Sequence, residues 1–388
     1  MALFAAGMVT FTLLYSPQVI LPDLVREFGV SPGASTLALS LTTIGLGLAL
    51  LVAGPLSDSL GRTVLVRWSL AISSVVAVFT VLAPSWHALL ALRLAQGIAL
   101  AGLPAVATAY LREEVHGSAQ ARAAGLYIGG TALGGMTGRL LTGLVAEAAG
   151  WRWALATTAV MASLCTIAVF VLLPASQHFR PAARGVAPAV RRLSRALADP
   201  RLALLYLIGA SAAGAVAATF NVIGFRLADA PFHLGVGAAS LVFLSYPLGT
   251  ISATAFGRMA GHTGRGRVLA MGIVVSGAGV LLSLADRLWL VGGGLTLLVV
   301  GYFAAHAVAS GWVPARAHAA GVATAQAASL YLLSFYAGSS VFGSLGGTAW
   351  SHGGWPAVSG LSLLLLIVAA GSAVVLERTK RDVSSRTE

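Results

Sequence analysis

The sequence predicts an all-α membrane protein with twelve transmembrane helices in two six-helix pseudo-symmetric bundles. Three observations carry that expectation. Of the 388 residues, 57% are hydrophobic and only 9% are charged, with a mean hydropathy of +0.88; an average soluble domain uses roughly 25% charged residues. The apolar residues come in continuous runs of about 20, the length that crosses a bilayer as a helix, and not in the alternation of a barrel strand. The second half of the chain also repeats the first. Gly54, Gly61 and Arg62 recur at Gly257, Gly264 and Arg265, while Leu126, Tyr127, Gly134, Gly143 and Trp151 recur at Leu330, Tyr331, Gly338, Gly347 and Trp355. The first set is offset by 203 residues and the second by 204, and such a near-constant spacing, with one residue of slip, marks an internal repeat.

The elements follow in order. The first span, α1, covers 2–21; MALFAAGMVTFTLLY lacks the basic start of a signal peptide and reads as a span. Next come α2 (35–55), α3 (64–83) and α4 (86–110), with a turn at Pro84 between the last two. The fifth span, α5 (122–146), is rich in glycine, which suits close packing in a membrane, and α6 (153–174) ends the first half. A basic loop, SQHFRPAARGVAPAVRRLSRALADP, fills 176–200. Val190, Leu193 and Leu197 share a helical face there, opposite Arg191, Arg192 and Arg195. That pattern fits an amphipathic helix lying on anionic lipid, or a plain basic linker. The second half supplies α7 (202–223), α8 (237–257), α9 (268–285), α10 (288–313), α11 (325–350) and α12 (356–376), with Asp286 and Arg287 between α9 and α10. The expected organisation is a bundle over 1–175, a cytoplasmic linker over 176–200, and a second bundle with a short tail over 201–388.

Charge orients the chain and excludes partners. The net charge is +12. With both termini in the cytoplasm, only Arg26, Arg152, Arg226 and Arg287 of the 24 Lys and Arg fall in outer loops, and nearly all the rest fall inside. This asymmetry is the orientation rule of membrane proteins, so the basic residues point to a lipid bilayer and not to nucleic acid. Cys165 is the one cysteine, which excludes an intramolecular disulfide and any metal site built on paired cysteines.

Polar residues inside apolar runs are the candidate functional ones, because they are costly in a membrane and usually face a cavity or a partner. Arg93 and Gln96 share one face of α4, and Arg139 lies in the outer half of α5. Asp23 sits at the outer end of α1 and is the best-placed carboxylate, expected to pair with Arg93 or Arg139; His306 lies within α10. Arg93, Asp23, Arg139 and His306 are therefore the candidates for coupling, since a proton-coupled cycle needs a group whose charge changes. Tyr15, Gln18, Gln96, Tyr127, Asn221, Tyr331 and Tyr336 are the candidate substrate-binding residues. No acid lies deep in a span, so these residues suit a neutral, polar or anionic solute better than a strong cation.

The stretch GPLSDSLGR at 54–62 places Gly54, Asp58, Gly61 and Arg62 in the α2–α3 turn. Gly54 is expected to let α2 approach a neighbour, and Gly61 to supply a turn conformation that other residues resist. The copy at 257–265, GRMAGHTGR, keeps the turn but has Gly261 where the first has Asp58. With RLAQG at 93–97, YSPQVILPDLVREFGVSP, GGMTGRLLTG and FAAHAVASGW, this turn gives the chain its resemblance to major facilitator superfamily transporters. More narrowly, it resembles the twelve-helix drug:proton antiporters near the bacterial inner-membrane acriflavine and arabinose efflux transporters, over essentially its whole length. Three departures stand out: Thr63 replaces a second basic residue after Arg62, Gly135 follows Gly134 where antiporters carry a Gly-Pro pair, and Arg139 replaces a later Gly of that motif.

The resemblance implies a major facilitator fold and a monomer in the bacterial inner membrane. It also implies proton-coupled efflux of a drug, sugar or other polar metabolite by alternating access, with Gly54, Asp58, Gly61 and Arg62 as a gating motif. A proton-solute symporter is the alternative within that class. A membrane enzyme is disfavoured, because no HExxH, GxSxG, CxxC or Walker phosphate loop appears. No cofactor or metal is expected. A non-transporting sensor is disfavoured by the lack of a sizeable soluble domain.

Overall fold

The structure, a computed structural model, describes residues 1–176 and 186–384, and these residues are helical with no strand among them. Among the described residues, ten helical segments are long and apolar enough to cross a membrane. They supply α1 (Ala2–Phe28), α2 (Pro32–Leu60), α3 (Arg62–Val81), α4 (Trp86–Glu114), α6 (Trp151–Leu172), α7 (Pro200–Ala228), α8 (Val236–Thr263), α9 (Arg265–Leu282) and α10 (Leu288–Ala319). The tenth, starting at Thr324, holds two rods, because its backbone turns at Gly353 and Gly354; α11 is thus 324–352 and α12 355–384. The remaining rod, α5 (Gly117–Ala149), is a 33-residue helix whose glycines, Arg122 and Arg139 lower its hydropathy. All twelve expected helices are present. Most run past their expected ends, since short polar stretches such as Asp23–Glu27 continue the helix into the headgroup zone.

The repeat is visible in the backbone. Gly61 ends α2 at φ 97°, and its counterpart Gly264 ends α8 at φ 95°. Both lie in the region that a Cβ disfavours, so the turn is what the two copies share. The close approach of α2 expected at Gly54 occurs elsewhere: a Cβ at Gly54 would meet nothing within 4 Å. At Gly45, deeper in the span, a Cβ would stand 2.9 Å from the Leu94 carbonyl oxygen of α4.

Two rods are interrupted. In α1 the α-helix ends at Tyr15, and Ser16–Ile20 is a 3₁₀ turn. Pro17 explains the break, because it has no N–H to give the Leu13 carbonyl four residues back. In α8 a 3₁₀ turn at Leu241–Ser245 stands just before Pro247.

The helices pack into two compact units. One comprises Met1–Arg184 with Asn221–Leu244, and the other Gly185–Phe220 with Ser245–Glu388. In the second unit the linker contributes a helix, Val186–Ala198, that packs on the C-terminal helical segment. Ala196 of this helix is buried, while Arg191, Arg195 and Leu197 are exposed. Residues 177–185 of the linker, and with them Arg180 and Arg184, lie outside the described residues.

Candidate functional site

The break in α1 places the first group of polar residues. Arg93 of α4 is 2% exposed and turns its guanidinium to that break. Its Nη1 donates to the Leu13 carbonyl at 3.0 Å and its Nη2 to the Leu14 carbonyl at 2.9 Å. These are carbonyls that the 3₁₀ turn and Pro17 leave short of backbone donors. Nε donates to the Ala38 carbonyl of α2 at 2.9 Å, and Nη1 also donates to Gln96 Oε1. Gln96 in turn reaches the Ser73 carbonyl of α3 at 3.4 Å. Arg93 therefore ties α1, α2 and α4 together through neutral acceptors. It keeps its charge, because a guanidinium does not give up its proton in proteins.

One turn along α1 lies the second group. Arg139 of α5 is also 2% exposed. Its guanidinium carbon lies 4.1 Å from the Tyr15 ring centre and 4.8 Å from that of Phe243 in the α8 break. Nε donates to Gln18 Oε1 at 2.6 Å, and Nη1 to the Gly135 carbonyl at 2.8 Å. Gln18 Nε2 then donates to Asn221 Oδ1 of α7 at 2.7 Å. Gln18 and Asn221 are 203 residues apart, the offset that also relates Gly61 to Gly264. Four sequence candidates thus meet within the first unit: Gln18, Arg139 and Asn221 form a buried chain, with the half-buried Tyr15 ring against its arginine.

Asp23 does not join them. The expectation that it pairs with Arg93 or Arg139 is corrected: its Oδ1 accepts from Arg26, three residues on, and its Oδ2 is buried without a hydrogen bond. A partner one helical turn away needs no tertiary contact, and Arg93 is already committed to the carbonyls of α1 and α2.

The second unit carries the other candidates. Tyr331 is 2% exposed, and its hydroxyl lies 3.0 Å from His306 Nδ1. The His306 ring is stacked with Tyr302 and stands 4.9 Å from Phe335. Tyr336 packs edge-on against Phe335. A tight pocket beside this pair is lined by Ile208, Gly209, Ala212, Ala305, His306, Ala309 and Tyr331. Gly209 makes room for the Tyr331 ring, since a Cβ there would stand 2.7 Å from it. Tyr127 joins neither group; it lies about three turns before Arg139 on α5, with its carbonyl oxygen beside Gly7.

At the α2–α3 turn, Arg62 Nη1 meets Asp58 at 2.5 Å and also donates to Ser57. Its Nε and Nη2 grip both oxygens of Glu113 at the end of α4, at 3.1 and 3.0 Å. Such two-pronged pairing is the strong form of an arginine–carboxylate contact. Glu113 is not among the sequence candidates, because it reads as one of two acids at a helix end. At the opposite end of the rods, Glu147 of α5 accepts from the Gly237 N–H of α8 at 2.6 Å. Nearby, a Cβ at Gly143 would stand 2.5 Å from that of Ser240.

Comparison with known proteins gives this geometry a family. The model of the Major Facilitator Superfamily matches residues 3–253. The chain is 39% identical over 388 residues to the MFS-type transporter YybF of Bacillus subtilis (strain 168), covering 100% of this chain and 95% of YybF. It is 40% identical over 369 residues to the inner membrane transport protein YnfM of Escherichia coli (strain K12), covering 95% and 88% of the two chains. Among solved structures, a bacterial homologue of the human lysosomal transporter Spinster matches with a TM-score of 0.76 at 15% identity, over 97% of this chain and 96% of that one. The nucleoside transporter NupG matches with a TM-score of 0.76 at 14% identity, over 97% and 98%. These last two likenesses speak for the fold, two six-helix halves. The chain belongs to the Major Facilitator Superfamily and is a multi-pass membrane transporter.

Proposed function

We propose that the chain is a secondary active transporter that exports a small polar solute from the bacterial cytoplasm by alternating access, driven by the proton gradient. The observation that carries this reading is the buried chain Arg139–Gln18–Asn221. It joins repeat-related residues of the two halves through groups that a purely structural membrane core would avoid. The asymmetry of Lys and Arg supports cytoplasmic termini, and the likeness to the inner membrane protein YnfM supports that membrane. Asp23, with a buried carboxylate oxygen free of hydrogen bonds, and the His306–Tyr331 pair are the groups suited to take and release the proton. Asp58, Arg62 and Glu113 form the cytoplasmic gate, with Gly61 as its turn.

The test uses the purified chain in proteoliposomes with and without an imposed proton gradient. Solute movement that follows the gradient is expected, with proton release on substrate addition lost in Asp23→Asn or His306→Ala. Release that survives both substitutions rejects both assignments, and gradient-independent movement rejects proton coupling. Asp58→Asn is expected to cut transport while leaving membrane insertion intact; unchanged transport removes the gate role.

A further inference from the structure

We infer that the transported solute is an organic anion whose carboxylate is received by Arg139 and Asn221; this rests on the transporter reading above. The argument starts from hydrogen-bond polarity. A guanidinium has donors only, so the Gln18 atom facing Arg139 is its oxygen and the Gln18 amide nitrogen faces Asn221. Asn221 must then turn its own oxygen to Gln18. Its Nδ2, a pure donor, is left at the far end of the chain. The relay thus begins with a cation and ends with a donor, and neither end offers an acceptor to a cationic or donor-rich solute.

Electrostatics points the same way. Arg93 contacts the carbonyls of Leu13 and Leu14, directly before Tyr15, and every acceptor it holds is neutral. Two buried guanidinium groups therefore bracket residues 13–18 of α1. The sequence has no Asp or Glu between Glu27 and Asp58, between Asp58 and Glu113, between Glu114 and Glu147, or between Asp199 and Asp229. Asp23, five residues from Gln18, is engaged by Arg26. A positive field in a low-dielectric interior favours an anion and rejects a cation. The Tyr15 and Phe243 rings hold the Arg139 guanidinium in place. A carboxylate would replace the Gln18 oxygen as the acceptor facing Arg139 and accept from Asn221 Nδ2 when the relay through Gln18 opens.

The test presents proteoliposomes holding the full-length chain with one mixed pool of membrane-impermeant solutes: carboxylates, neutral sugars and polyols, and organic cations. Mass spectrometry then scores what crosses. Carboxylates alone are expected to move. Arg139→Gln is expected to lower that movement by about tenfold or more, Arg139→Lys to keep a measurable part, and Asn221→Leu to weaken the half-saturation concentration with Arg139 intact. Movement of neutral or cationic solutes without carboxylates overturns the inference and leaves the transporter reading standing. Carboxylate movement unchanged in both Arg139→Gln and Asn221→Leu overturns the assigned site. Movement of nothing in the pool, at any gradient, rejects the transporter reading and the inference with it.

Discussion

Arg93 illustrates how a single residue in a membrane core can be structural and charged at once. Its hydrogen bonds go to carbonyls of α1 and α2 and to Gln96. An orphaned buried carbonyl costs about 1–3 kcal/mol, so Arg93→Met is expected to lower the apparent melting temperature by several degrees. The cause can be isolated with Pro17. Replacing Pro17 by Ala returns an N–H to the Leu13 carbonyl, so Arg93→Met should cost less in the Pro17→Ala background. A double-mutant cycle on melting temperature measures that coupling; strict additivity would mean that the break and the arginine are unrelated. At this scale the sequence is half legible. Arg93, Arg139, Gln18 and Asn221 stand out because polar residues are expensive in an apolar run. Their partners do not stand out. The acceptors of Arg93 are mostly backbone carbonyls, which every residue has and no letter marks. Asp23 shows the reverse error: its local partner, Arg26, is plain in the sequence, yet polar residues in spans invite a long-range pairing.

At the scale of elements, the turns are legible and the ion pairs between helices are not. Gly61 and Gly264 announce themselves because a positive φ leaves few alternatives to glycine. The pairing of Arg62 with Glu113, 51 residues away, depends on how α4 packs beside the α2–α3 turn. The second half uses a different device. Asp199, between the linker helix and α7, accepts from the Leu202 and Arg201 amides at the start of α7 and from Arg316 at 2.6 Å. Burial alone would raise this carboxyl. Hydrogen bonds from Arg316 and the two amides, with the guanidinium charge, outweigh that effect and hold it below its usual value of 3.8. A lowered folded value means stabilisation that is present above the unfolded value and lost as pH falls through the folded one. The melting-temperature gap between wild type and Asp199→Asn should therefore stay constant above about pH 5 and close below about pH 4. A gap that widens in acid would contradict the pairing.

For the whole molecule, lipid makes the twelve-rod plan legible, because each crossing demands a long apolar helix. The division into compact units is not legible: Asn221–Leu244 belongs to the second repeat by sequence but packs with the first. Here α5 and α8 meet through Gly143 and Ser240, with Glu147 on the Gly237 amide. If alternating access is the mechanism, this contact between repeats opens once per cycle. Gly143→Leu should prop it apart and cut transport about tenfold or more at unchanged insertion, while Gly143→Ala does so less; equal activity of both variants with wild type would exclude the contact from the cycle. The Pro17 break has one more consequence, which concerns synthesis. The ribosome delivers α1 to the bilayer before α4 exists, so the Leu13 and Leu14 carbonyls enter lipid still lacking the donors that Arg93 later brings. The arginine arrives in a segment that lipid alone receives poorly. Each is a misfit until it finds the other, and α1 completes its folding only when α4 has been translated.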